Sequence, residues 1–210
     1  MDLITDGIIF DVDGTFWDST FVVEAAWRQA LKDAGLGEYD VTAQTLKGLF
    51  GLPMYDILKA IMPDASDEDI EKVSPTVYEY EDRYLRETPP TPYEGLPEMI
   101  KALYGKIPMF VVSNCQAGYI ELFCEKTGLG EYFEDHLCPG DTNMLKADNI
   151  KKIVNDYNLK APIYVGDTIM DEKACNKAGV PFVFASYGFG TAENPVATID
   201  KPMDLLKVVE

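Results

Sequence analysis

Two carboxylates spaced two residues apart, Asp11 and Asp13, end the apolar run Gly7-Ile8-Ile9-Phe10 in the segment Asp11-Val12-Asp13-Gly14-Thr15. A short β-branched and aromatic run of this kind predicts a buried strand, and open α/β sheets bind ligands at the ends of their strands. On extended backbone both side chains share one face. There the pair can hold a divalent cation, or one carboxylate can attack while the other handles a proton. Gly14 lets the backbone turn sharply. A calcium loop does not fit, because it needs a third oxygen ligand before its glycine and no buried strand ahead of it. A turn with two incidental aspartates stays open on this segment alone.

Three further groups sit in similar places. Ser113-Asn114 ends the apolar run Phe110-Val111-Val112. A hydroxyl there, beside N–H groups opening toward a helix, suits a phosphoryl oxygen, although an ordinary strand-ending turn has the same composition. Lys146 starts a helical pattern and by itself reads as a solvated charge. Gly166-Asp167-Thr168-Ile169-Met170-Asp171 follows Ile163-Tyr164-Val165 and repeats the first arrangement of apolar strand, turn and acid. With Asp171 opening a helix, Asp167 and Asp171 could face one cation.

Positioning these groups requires strands with helices between them. Strands are predicted at Pro108–Val112, Asp135–Cys138, Ala161–Val165 and Pro181–Ala185, and helical patterns at Leu96–Leu103, Tyr119–Lys126, Ala147–Tyr157 and Asp171–Ala178. Gly128 and Gly179 supply stop signals. Alternation of this kind implies a doubly wound, Rossmann-like parallel α/β sheet covered on both faces. Ser19 to Glu87 breaks the alternation with helical periodicity alone. Ser19 and Thr42 are predicted helix caps, Pro53 suits a first turn, and Ser66 with Asp69 resembles a capping box. The proline-rich Thr88–Pro92 is a stiff link. The expected organisation is a core of residues 1–18 and 89–210 with an all-helical cap subdomain at 19–88.

The chain has 210 residues, 47% of them hydrophobic, enough to bury a full core. Eighteen basic residues against 36 acidic ones leave a formal charge of −18, which argues against nucleic acid or an anionic membrane as partner. No run is long enough to span a membrane, and Met1–Asp6 lacks a basic leader, so a soluble cytoplasmic protein, monomer or weak dimer, is expected. Cys115, Cys124, Cys138 and Cys175 show no CxxC spacing and read as reduced thiols. His136, the sole histidine, lies away from the motifs and reads as structural, which makes serine–histidine hydrolysis implausible.

Together Asp11-Val12-Asp13-Gly14-Thr15, Ser113, Lys146 and Gly166-Asp167 with Asp171 resemble, in order, the four motifs of the haloacid dehalogenase-like (HAD) hydrolase superfamily. The helical insertion looks like the type 1 cap of its phosphoglycolate phosphatase and β-phosphoglucomutase branch. The resemblance runs from the first strand to about Gly190. It implies Asp11 as nucleophile forming an aspartyl-phosphate, Asp13 as general acid/base, and Ser113 and Lys146 around the phosphoryl group, where the strand-end reading also puts Asn114 as a candidate. It also implies Mg²⁺ held by Asp11, the Asp13 carbonyl and Asp167, with Asp171 direct or through water. The substrate would be a small phosphorylated metabolite. Dehalogenases lack an acid at the position of Asp13, because a halide leaves without a proton, whereas an alkoxide needs one. Where the family often has Leu-x-Asp-Ser, this chain has Phe16-Trp17-Asp18-Ser19, aromatics expected to pack at the hinge into the cap. After Lys146 it has Ala147-Asp148 in place of a proline-bearing sequence. In the cap, Lys47 beside Gly48 and Gly51 could meet an anionic substrate, or be a surface lysine in a glycine-broken connection. A Mg²⁺-dependent phosphatase is the expected function. The alternatives are a β-phosphoglucomutase-like phosphotransferase and a non-catalytic metal-binding protein.

Overall fold

Ile8, Ile9 and Phe10 have no solvent exposure, and burial of both faces makes Gly7–Phe10 the central strand β1 of a parallel sheet. The computed structural model describes residues 3–36 and 39–209; Met1 and Asp2 of the amino-terminal segment, Gly37, Glu38 and Glu210 lie outside that description. β2 (Met109–Val112), β3 (Asp135–Leu137), β4 (Pro162–Gly166), β5 (Phe182–Ala185) and β6 (Ala197–Ile199) complete the sheet. Its order is β3-β2-β1-β4-β5-β6 and every pairing is parallel. The order reverses direction between β1 and β4, the switch point at which doubly wound sheets open a ligand crevice.

The chain divides into two compact units, Met1–Asp18 with Pro92–Glu210, and Ser19–Thr91. In the second unit the elements are α1 (Thr20–Asp33), α2 (Ala43–Leu49), α3 (Met54–Ile61) and α4 (Asp67–Glu87). They enclose their own core, including Val23, Trp27, Leu31, Leu46, Leu58, Ile70 and Val77. Thr42 caps α2 and Ser66 with Asp69 forms a capping box on α4. Ser19 departs from expectation. It precedes α1 in αR backbone and makes no side-chain cap, and it is fully buried. Pro53 stands at the N-cap of α3 rather than in its first turn.

In the first unit lie α5 (Leu96–Leu103), α6 (Tyr119–Thr127), the single turn α7 (Pro139–Thr142), α8 (Lys146–Asp156) and α9 (Ile169–Ala178). Ile150 and Ile153 of α8 and Cys175 of α9 pack against Ile9, Phe110, Val112 and Tyr164. The first unit ends and resumes at adjacent points. Trp17 and Pro92 pair in a β-bridge, and Tyr93 N–H donates to the Phe16 carbonyl at 2.9 Å. The strand β6 was not foreseen: three residues, one exposed and one half-buried, offer no apolar run to recognise.

Candidate active site

The parallel register brings the C-terminal ends of β1, β2 and β4 side by side, so Asp11, Ser113 and Asp167 emerge on neighbouring strands. Asp11 N–H still donates to the Val165 carbonyl at 2.9 Å, which carries the sheet one residue past β1. The chain then turns through Gly14, whose φ of 79° belongs to the left-handed region. A Cβ at Gly14 or at Gly188 would run into Asp167. Both positions need glycine for that close approach.

Lys146, first residue of α8, is 4% exposed. Its Nζ donates to Asp11 Oδ1 at 2.9 Å and to Asp171 Oδ1 at 2.6 Å, and lies 5.6 Å from the centre of the Tyr164 ring. Burial alone would pull the lysine's pKa down, but Asp11 and Asp171 outweigh it and the net shift is upward. The ammonium therefore stays charged. The loop that delivers it is fixed by buried Asn149, which donates to the Met144 carbonyl at 3.3 Å and accepts from Thr142 Oγ1 at 2.8 Å. A lysine opening a helix opposes the helix dipole; the two carboxylates offset that conflict.

Asp171 sits in the first turn of α9, which opens at Ile169, two residues earlier than expected. Its Oδ2 accepts from Thr168 N–H at 3.0 Å and Thr168 Oγ1 at 2.7 Å, while Thr168 Oγ1 accepts from Asp171 N–H at 3.2 Å. One carboxylate thus caps its own helix with one oxygen and holds Lys146 with the other. Asp167 accepts from Phe189 N–H at 2.7 Å through Oδ2, whereas its buried Oδ1 has no hydrogen-bond partner among the described residues. Tyr187, in the same loop, donates to the Thr15 carbonyl at 3.0 Å. Nothing in the composition of Ser186–Gly190 marked that loop as part of the site.

Carboxylate oxygens of Asp11, Asp167 and Asp171, all buried, lie within 4.8 Å of one another. The Asp13 carboxylate stands outside this trio; its Oδ1 accepts from the Tyr119 hydroxyl at 2.7 Å. Of the two uses open to the Asp11 and Asp13 pair in isolation, a shared cation between the side chains is not the arrangement seen; the clustered acids are the three aspartates named for the cation from the family resemblance. Burial, first, and the neighbouring Asp171 push the carboxyls of Asp11 and Asp167 upward; Lys146 beside Asp11 counteracts this. Three buried carboxylates against one ammonium, with an unpartnered Asp167 oxygen, fit a hard divalent cation with oxygen ligands.

Ser113 is 4% exposed, and its hydroxyl acts on the Asp11 carboxyl in the same downward direction as Lys146, against the effect of burial. Asn114 follows it, half-buried. Lys47 belongs to the helical unit, where its Nζ lies 5.3 Å from the centre of the Phe21 ring. His136 pairs with Glu121 at 3.3 Å on β3. The four cysteines are free thiols.

The profile of the haloacid dehalogenase-like hydrolase family matches residues 8–185. The chain belongs to that family and is a hydrolase by descent. It is 27% identical over 214 residues to a phosphoglycolate phosphatase of Aquifex aeolicus, covering 97% of this chain and 96% of the relative. It is 31% identical over 130 residues to the fructose-1-phosphate phosphatase YqaB of Escherichia coli, covering 61% and 66%. A haloacid dehalogenase-like hydrolase of Streptococcus pneumoniae shares the fold with a TM-score of 0.83 at 21% identity, over 97% of both chains.

Proposed function

We propose that the chain is a phosphatase of small phosphate monoesters that transfers the phosphoryl group to Asp11 and uses Mg²⁺ as cofactor. The observation that carries this reading is the buried ammonium of Lys146 bridging Asp11 and Asp171 at 2.9 and 2.6 Å, where β1 and β4 end. Phosphoryl transfer asks for positioning and charge neutralisation more than for covalent chemistry, and a lysine, a hydroxyl and turn N–H groups around a carboxylate supply both. An Asp11 oxygen attacks phosphorus as the ester P–O bond breaks. Asp13 gives its proton to the departing oxygen, so the alcohol leaves neutral. Asp13 then takes a proton from the water that attacks the aspartyl-phosphate, freeing Asp11 and inorganic phosphate. Ser113 and Lys146 hold phosphoryl oxygens, with Asn114 beside them.

Asp11, Asp167 and Asp171, with the Asp13 carbonyl, are the groups that would hold Mg²⁺. When bound, the ion supplies charge neutralisation to a carboxylate and a phosphoryl group that otherwise repel. Because Asp13 can protonate an alkoxide, ester hydrolysis is favoured over dehalogenation. The phosphatases among the relatives support a small phosphorylated metabolite as substrate. Residues 19–91 act as the specificity-setting cap in this reading, with Lys47 toward the anionic part of the substrate.

A phosphate-release assay over a panel of metabolite esters tests the proposal. Activity should vanish with EDTA and return with Mg²⁺, and calcium should inhibit through its looser coordination. Asp11→Asn should lower turnover by about three orders of magnitude or more in a protein that still folds. Full activity of Asp11→Asn, or after exhaustive chelation, would overturn the nucleophile or the metal respectively.

A further inference from the structure

Asp13 is tied to two aromatic residues that none of the four motifs contains. Tyr119 lies in the first turn of α6 and is 4% exposed, and Trp17 is fully buried. Trp17 Nε1 donates to the Tyr119 hydroxyl oxygen at 3.2 Å, and that hydroxyl donates to Asp13 Oδ1 at 2.7 Å. The two rings meet edge to face, with centres 6.1 Å apart and planes at 79°. An indole N–H can only donate, so it takes a lone pair of the phenol oxygen and leaves the phenol proton for Asp13. The chain of bonds therefore runs one way, from Trp17 through Tyr119 to the carboxylate.

We propose that Tyr119, backed by Trp17, is a positioning residue that fixes the orientation of the Asp13 carboxylate and selects the oxygen that carries its proton. The inference rests on the acid/base role of Asp13 proposed above. With Oδ1 accepting the phenol hydrogen bond, the transferable proton resides on Oδ2. That oxygen gives it to the ester oxygen as the P–O bond breaks, and later removes one from the attacking water. Without the phenol the carboxyl group keeps its chemistry but loses its alignment, and proton transfer is sensitive to misplacement on the ångström scale.

The test compares two leaving groups. An alkyl phosphate ester needs its leaving oxygen protonated, whereas p-nitrophenyl phosphate releases an acidic phenol that scarcely does. Loss of structure lowers kcat/KM for both esters alike; loss of acid alignment lowers it selectively for the alkyl ester, because kcat/KM stops at formation of the aspartyl-phosphate and leaves out the later hydrolysis that both esters share. In Tyr119→Phe the ratio of alkyl to aryl kcat/KM should fall by about tenfold, a fraction of the roughly 10²–10⁴ that general acids contribute. Trp17→Phe should move the ratio the same way by a smaller factor, and it decides the matter if Tyr119→Phe does not fold. Asp13→Asn separates the levels of the argument. If that variant collapses the ratio while both aromatic variants leave it unchanged, the positioning role is overturned and the acid/base reading stands. If wild type releases phosphate from neither ester, or Asp13→Asn leaves the ratio unchanged, the acid/base reading fails and the positioning role with it.

Discussion

Asp167 is held in surroundings that favour its protonated form when no cation is present. Burial and the nearby Asp171 and Asp11 raise its pKa well above 3.8, and burial raises that of Asp11 as well. In the folded, metal-free protein these acids bind protons that the unfolded chain has already released. Their contribution to stability is therefore present at low pH and lost as the pH rises above about 3.8 toward the raised folded values. Removing one of them should flatten that loss. Thermal midpoints of metal-free wild type should drop more between about pH 5 and about pH 7.5 than those of Asp167→Asn, and Mg²⁺ should lift wild type more at the higher pH. Equal slopes for the two proteins would contradict this account. At this scale Asp11, Ser113 and Asp167 were legible as candidates because each closes or follows a recognisable strand, whereas Lys146, at the start of a helix, stood out only through the family resemblance. The sequence did not disclose Tyr119, Tyr187 or the Phe189 N–H, whose partners are brought close only by folding. Trp17 was legible as a packing residue but not as a donor, since an indole announces its bulk and not its bonds.

The first turn of α9 shows how an element can serve the site through its own cap. Thr168 and Asp171 satisfy each other's backbone donors, and the same carboxylate steadies Lys146. Thr168→Val keeps the volume but deletes the hydroxyl. It should cost about 1 kcal/mol of stability, the usual value of an N-cap, measured as a shift in denaturation midpoint at unchanged m-value. Phosphate release should fall as well, since Asp171 loses one of the bonds that orient it. An unaltered midpoint would show that the cap contributes nothing. Element by element, strands ending in acids and helices ending at glycine were readable because their signals are local. The cap at Ser19 misled because a buried serine in αR backbone leaves the same letter in the sequence as an N-cap. β6 escaped because three residues at a sheet edge, between Pro195 and the 3₁₀ segment Pro202–Lys207, carry too little periodicity.

For the whole molecule, a formal charge of −18 repels the anionic substrate proposed for it. The screening length shrinks from roughly 30 Å at 0.01 M salt to roughly 8 Å at 0.15 M, so kcat/KM for a phosphate ester should rise over that range. A fall would mean that Lys146 and the bound cation govern the approach as well as the chemistry. The proposed division of labour adds a second expectation. Lys47→Ala should reorder the preference among esters at an unchanged metal requirement, whereas Lys146→Ala should depress every ester alike. An unchanged ranking in Lys47→Ala would remove that lysine from recognition. The bridge between Trp17 and Pro92 has a consequence of another kind. Because the chain leaves the first unit and returns to it beside bonded neighbours, that unit experiences the 73 residues of Ser19–Thr91 as one closed loop, and the entropy of closing a loop grows only slowly with its length. Insertions of very different size and shape can thus be exchanged at this doorway while the strands, and the acids at their ends, stay in register. Under the division of labour proposed above, descendants of such a protein could acquire new substrates without rebuilding the chemistry that acts on them.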